Sequence, residues 1–168
     1  VLANSSNIGV SRLVDRYFAH NPSEYVDQLY KMGVGKPMNI EIPGAGRPKI
    51  RHPKDKHVNW YKTALPWMSI GYEVQMPPIY TLAFYNAIAN NGKYIRPYFV
   101  KSISQNGRIL ETFDTETINS SICSSSTLSD IRMMLQAVVE EGTGKAVHSD
   151  YVSIAGKTGT AQLQYGKG

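Results

Sequence analysis

With 168 residues, 42% of them hydrophobic and 18% charged, the chain has the composition of a folded globular protein and not of a disordered one. That length suits one domain with a moderate core, and no apolar run approaches the roughly 18 residues that a membrane-spanning helix needs. The net charge of +5 admits an anionic partner, while the single Cys123 excludes an internal disulfide framework and any Cys-x-x-Cys metal site.

In chain order, Val10, Leu13, Val14, Tyr17 and Phe18 recur at helical offsets, and the Ser5-Ser6-Asn7 triplet before them supplies N-cap candidates. That triplet therefore sits at a helix start, where a polar side chain can be held rigidly. A second helix begins at Asn21-Pro22, with Asn as cap, Pro at the first helical position and Glu24 in the first turn. Val26, Leu29 and Tyr30 form its apolar face, and Gly33 stops it. From about 34 to 66 the residues are rich in Pro, Gly and charge without periodicity, which predicts a long irregular excursion. Order returns at 65–73. Pro77-Pro78 then launches a helix through Ile79, Leu82, Ala83, Asn86 and Ala87, stopped by Asn90-Asn91-Gly92.

A hairpin is predicted over about 98–113, because Asn106-Gly107 is the favoured pair for a two-residue turn with positive φ at both positions. The strongest helix covers 127–141, with Leu128, Ile131, Leu135, Val138 and Val139 on one side and Gly142 after it. The segment 151–163 carries β-branched residues in loose alternation and reads as a strand. Helices, a hairpin, a helix and a strand indicate an α+β fold.

The basic residues gather in the stretch from Arg47 to His57, which has turn-type breakers and no helical period. This reads as a solvated loop, or one facing an anionic polymer or membrane surface, and not as a nucleic-acid site. His20, His52, His57 and His148 lack ligand spacing with Asp, Glu or Cys, so no metal site is expected. Trp60 and Trp67 read as packing anchors, Cys123 as structurally incidental and Glu140-Glu141 as a solvated pair at a helix end.

Gly156-Lys157-Thr158 invites a phosphate-loop reading, but that loop needs Gly five positions before Gly156, where Tyr151 stands, and it must open a helix. A different pattern fits. Ile154-Ala155-Gly156-Lys157-Thr158-Gly159-Thr160-Ala161-Gln162, together with Ser5-Ser6-Asn7, resembles two of the three active-site motifs of the penicillin-binding proteins. Longer stretches strengthen the likeness, in family order: Ser5 to Gly9, Leu65 to Tyr72, Leu82 to Gly92, Glu141 to Gly144 and Ala155 to Gln162 all look like class B transpeptidase segments. Class A β-lactamases usually carry Asp in the middle of Ser-x-Asn, where Ser6 stands here, and their deacylating Glu has no counterpart. Among class B enzymes the sequence is similar to the septum-forming division type and, next, to the elongation type.

The resemblance implies a partial penicillin-binding/β-lactamase-like domain over 1–168, a helical cluster packed on part of an antiparallel sheet. It implies a serine D,D-transpeptidase that cross-links peptidoglycan stem peptides and is acylated by β-lactams, with no cofactor and no metal. By the same likeness, Ser5 takes part in proton transfer near the leaving group, and Asn7 orients substrate and the family's catalytic lysine. Lys157 supplies positive charge to the cleft, Thr158 a hydroxyl for a carboxylate, and Gly159 room for a substrate backbone. The Thr160 N–H donates to the tetrahedral oxyanion. The third motif, Ser-x-x-Lys, occurs nowhere: every Ser has another residue three positions on. The chain is therefore expected to be a piece whose nucleophile lies upstream, inactive alone, with an N-terminal membrane anchor outside it. The resemblance sets the intact protein on the periplasmic face of the inner membrane among cell-wall synthesis or division proteins. Two rivals keep the fold but change the function: a scaffold or sensor that has lost its nucleophile, and a β-lactam hydrolase.

Overall fold

The computed structural model describes residues 1–57 and 59–160. Among these residues, five helices alternate with three two-stranded antiparallel ribbons. The α+β class is as expected, with the sheet content divided among small ribbons.

Helix α1 spans Asn7–Phe18 and starts at Ser6, whose side-chain oxygen accepts from the Gly9 N–H at 3.1 Å. Its apolar stripe is only partly covered: Val10, Val14 and Phe18 are half-buried, while Leu13 and Tyr17 are exposed. The helix is fixed instead at Ser11, whose hydroxyl donates to the Pro66 carbonyl at 3.2 Å, and by an edge contact of Phe18 with Tyr25. Helix α2, Pro22–Met32, ends at Gly33 as expected and buries Val26 completely.

The predicted excursion is stitched down at several points. Strand β1, Lys49–Ile50, pairs with β2, Val74–Gln75, and Ile50 is buried beside Val26 and Met68. Met38 is buried too, and its N–H donates to the Tyr80 hydroxyl at 3.0 Å. Residues 65–69 lie in a short helix, α3, Ala64–Ser69. Trp60 packs on the Val26 cluster and Trp67 meets Tyr72 edge-on, so both tryptophans act in packing. The basic stretch is not simply solvated. Arg51 Nε lies 2.9 Å from Glu73, while His52 and Lys54 converge on Asp27 at 3.1 and 3.5 Å. His52, by its hydrogen bond, holds the Asp27 carboxyl below its ordinary range, with Lys54 adding to the effect.

Helix α4, Pro78–Ala89, and helix α5, Ser125–Glu140, build the main core from Tyr80, Ala83, Ala87, Ile88, Leu128 and Leu135, with Tyr94 beside them. Arg132 ties them together by donating to the carbonyls of Ile88, at 2.6 and 2.9 Å, and of Ala89, at 2.9 Å. These are end groups of α4 that no helical N–H satisfies. Tyr94 belongs to β3, Tyr94–Ile95, which pairs with β6, Thr117–Asn119. Cys123 is half-buried against the same core.

The hairpin is present as β4, Ser102–Gln105, and β5, Arg108–Thr112, with φ of 50° at Asn106 and 79° at Gly107. Its first strand starts at Ser102 and not near 98. The strand expected over 151–163 is corrected: residues 151–160 form no ladder, and 161–163 lie outside the described residues. A strand exists only by hydrogen bonds to a neighbour, and here the Gly156 N–H donates to the Leu135 carbonyl of α5 at 3.1 Å. Among the described residues no helix is long and apolar enough to cross a membrane.

Candidate active site

Residues 1–6 form a turn before α1, closed by Ser5 N–H to the Leu2 carbonyl at 3.0 Å and Ser6 N–H to the Val1 carbonyl at 3.1 Å. Ser5 itself has φ of 49°, in the left-handed region, which costs a non-glycine residue roughly 1–2 kcal/mol. Asn39, Glu73, Asn91 and Asn106 share this backbone region, so Ser5 is set apart by its contacts and not by its φ.

The far end of the chain reaches this turn through the C-terminus of α5. There the Thr143 N–H donates to the Ala3 carbonyl at 3.1 Å. The approach is possible because residue 142 is glycine: a Cβ there would lie 2.1 Å from the Ala3 carbonyl oxygen. A short 3-10 turn, Lys145–Val147, follows, and the chain then bends at 150–152 and continues without helix or strand to Lys157.

Two residues 152 positions apart meet at this point. The Lys157 ammonium donates to Ser5 Oγ at 2.7 Å, and also to the Thr158 carbonyl at 2.9 Å and Thr158 Oγ1 at 3.0 Å. Three acceptors match the three protons of an ammonium. The charge is thereby fixed in place. Because Ser5 Oγ accepts from Lys157, its own proton remains free to donate elsewhere. Thr158 Oγ1 also lies 2.8 Å from Thr143 Oγ1. Lys157 further borders an apolar trough of about 480 Å³, lined by Leu2, Phe84, Ile88, Ile131, Met134 and Leu135.

The structure thus joins Ser5, Lys157 and Thr158 in one hydrogen-bonded cluster. Asn7 opens α1 two residues beyond Ser5, and Gly159 and Thr160 follow Thr158; all three are exposed and none bonds to the cluster among the described residues. Sequence reasoning missed Thr143. It lay inside a stretch noted only for its likeness to a family, and a lone hydroxyl carries no spacing signal. Among the described residues no group of His, Cys, Asp and Glu could hold a metal ion.

A fixed ammonium with hydroxyls beside it suits the binding of an anionic group. The family model for the penicillin binding protein transpeptidase domain matches residues 1–168, and the chain belongs to that family. It is 31% identical to the penicillin-binding protein PbpB of Mycolicibacterium smegmatis over 96% of this chain and 25% of that protein. It is 30% identical to the probable peptidoglycan D,D-transpeptidase PbpC of Pseudomonas aeruginosa, over 100% of this chain and 27% of that one. The crystal structure of penicillin binding protein 3 from Mycobacterium tuberculosis complexed with ampicillin superposes with a TM-score of 0.80 at 30% identity. That match covers 96% of this chain and 36% of the crystallised one. The chain spans about a quarter of the length of the curated relatives it matches.

Proposed function

We propose that residues 1–168 are part of the transpeptidase domain of a penicillin-sensitive D,D-transpeptidase, contributing one wall of its acyl-transfer cleft. The observation that carries this reading is the 2.7 Å hydrogen bond from Lys157 to Ser5, which unites two motifs from opposite ends of the chain. In the intact protein, a serine in a Ser-x-x-Lys motif outside these residues attacks the carbonyl of the penultimate D-alanine of a stem peptide, expels the terminal D-alanine, and passes the acyl group from the acyl-enzyme to the amine of a second stem. With a β-lactam the same attack opens the ring, and the acyl-enzyme that forms stays in place.

Each residue here has a role in that step. The Ser5 hydroxyl, polarised by Lys157, hands a proton toward the leaving nitrogen, and Asn7 orients the ligand. Thr158 binds the ligand carboxylate. Gly159 leaves room for its backbone, and the Thr160 N–H donates to the oxyanion, a contribution of about 3–4 kcal/mol when preorganised. Peptidoglycan stems and β-lactams are the ligands. The likeness to division-type enzymes supports a role in septal wall synthesis beside other division proteins, on the periplasmic face of a membrane to which an anchor outside these residues holds the protein.

The test is labelling of the full-length protein with fluorescent penicillin. Stable labelling is expected, with Ser5→Ala and Lys157→Met each slowing it by about 100-fold or more. A full-length protein that carries Ser-x-x-Lys yet never acylates defeats the proposal. So does one that hydrolyses the antibiotic rapidly, which marks a hydrolase.

A further inference from the structure

Thr143 belongs to neither motif, yet it touches one of them and the turn that carries the other. Its backbone N–H holds the Ala3 carbonyl in the turn that carries Ser5, and its Oγ1 lies 2.8 Å from Thr158 Oγ1. We propose that Thr143 is a positioning residue of this site: it donates its hydroxyl proton to Thr158, so that the one proton of Thr158 points at the anionic group of the ligand. The inference rests on the transpeptidase reading given above and adds a residue to it.

The argument is a count of protons and lone pairs. A hydroxyl carries one proton and two lone pairs, whereas an ammonium carries three protons and accepts nothing. Lys157 must therefore be the donor in its 3.0 Å contact with Thr158 Oγ1, and one lone pair of that oxygen is taken. The contact between the two threonines can run in either sense. With Thr158 as donor, its single proton is spent on Thr143, and a carboxylate arriving at Thr158 meets a lone pair. With Thr143 as donor, both lone pairs of Thr158 Oγ1 are filled, and its proton is left for the carboxylate. Only the second sense is compatible with an anion at Thr158. Hydrogen bonds to a charged acceptor are about twice as strong as neutral ones, so the ligand itself selects that sense.

Thr143 can serve as this donor because the Gly142 approach holds its backbone against Ala3. Its hydroxyl is thus presented from a fixed point. Valine keeps the shape and loses the proton; serine keeps the proton.

The experiment uses the full-length protein and the second-order rate constant of acylation by benzylpenicillin, with thermal midpoints measured alongside. Thr143→Val is expected to slow acylation about five- to tenfold, and Thr143→Ser to stay within about twofold of wild type. The decisive comparison is a double-mutant cycle with Thr158→Ala. If Thr143 acts through the Thr158 proton, adding Thr143→Val to Thr158→Ala brings no further slowing. A purely structural role slows both backgrounds equally. Equal slowing, or a Thr143→Val protein that acylates at the wild-type rate, overturns the inference and leaves the transpeptidase reading standing. A wild-type protein that takes up no penicillin overturns the transpeptidase reading itself, and this inference with it.

Discussion

Gly142→Ala tests how the two motifs are brought together. A Cβ built at residue 142 lies 2.1 Å from the Ala3 carbonyl oxygen, 2.8 Å from the Ala3 carbonyl carbon and 2.9 Å from the Val138 carbonyl oxygen. Separations under 3.0 Å are essentially never seen for real Cβ atoms, and all three neighbours are backbone atoms with no side-chain freedom to yield. Val138 is held in α5, so the turn at Ala3 must retreat, by about 0.9 Å at the least. The same carbonyl accepts from the Thr143 N–H at 3.1 Å, and that bond is lost, at about 1–2 kcal/mol of stability. Ser5 rides on the same turn, its N–H bonded to the Leu2 carbonyl, so its 2.7 Å contact with Lys157 opens as well. A displacement near 1 Å of a catalytic group costs about 100-fold in rate. Gly142→Ala in the full-length protein is therefore expected to slow acylation by fluorescent penicillin about 100-fold while lowering the unfolding midpoint only slightly. Wild-type acylation in a folded Gly142→Ala protein refutes this account of the site.

Two further outcomes concern stability. Leu128 is 5% exposed and packs in the core between α4 and α5, so Leu128→Ala is expected to cost about 3 kcal/mol in urea unfolding; a loss under about 1 kcal/mol contradicts that packing. Asp27 has a folded-state carboxyl held below its ordinary value by His52 and Lys54, so its stabilising contribution is complete above that ordinary value and disappears as pH falls through the lowered one. Unfolding midpoints of wild type and Asp27→Asn should differ slightly at about pH 5–6 and converge toward about pH 2, the effect being small because the pair is exposed. A gap that widens on acidification reverses the sign of the argument.

The helices were legible where local chemistry and tertiary packing agree. Ser6, Pro22, Gly33 and Pro78 stand where the helix ends lie, and the Asn106-Gly107 turn is where the sequence puts it. Two kinds of element were not legible. β1, β2, β3 and β6 are two or three residues long, too short to show any alternation, and they exist only through partners far along the chain. The stretch at 151–160 has strand-like residues, but its Gly156 N–H donates to a helix carbonyl, a choice that no local pattern encodes. The apolar stripe of α1 likewise predicts burial that its surroundings only partly supply.

Ser5, Asn7, Lys157, Thr158, Gly159 and Thr160 were picked out from residue type and family likeness, and the α+β class from the order of the elements. Caps, turn residues and helical periodicity act over a few residues, so the order of those residues is enough to specify them. That Lys157 donates to Ser5, that Thr143 stands behind Thr158, and that Arg51, His52 and Lys54 of the basic loop meet Glu73 and Asp27 were decided only by the folded chain. Such contacts join residues 15 to 152 positions apart, and the meeting of Lys157 with Ser5 depends on the close approach of the α5 end to the first turn, which no local pattern in the sequence encodes.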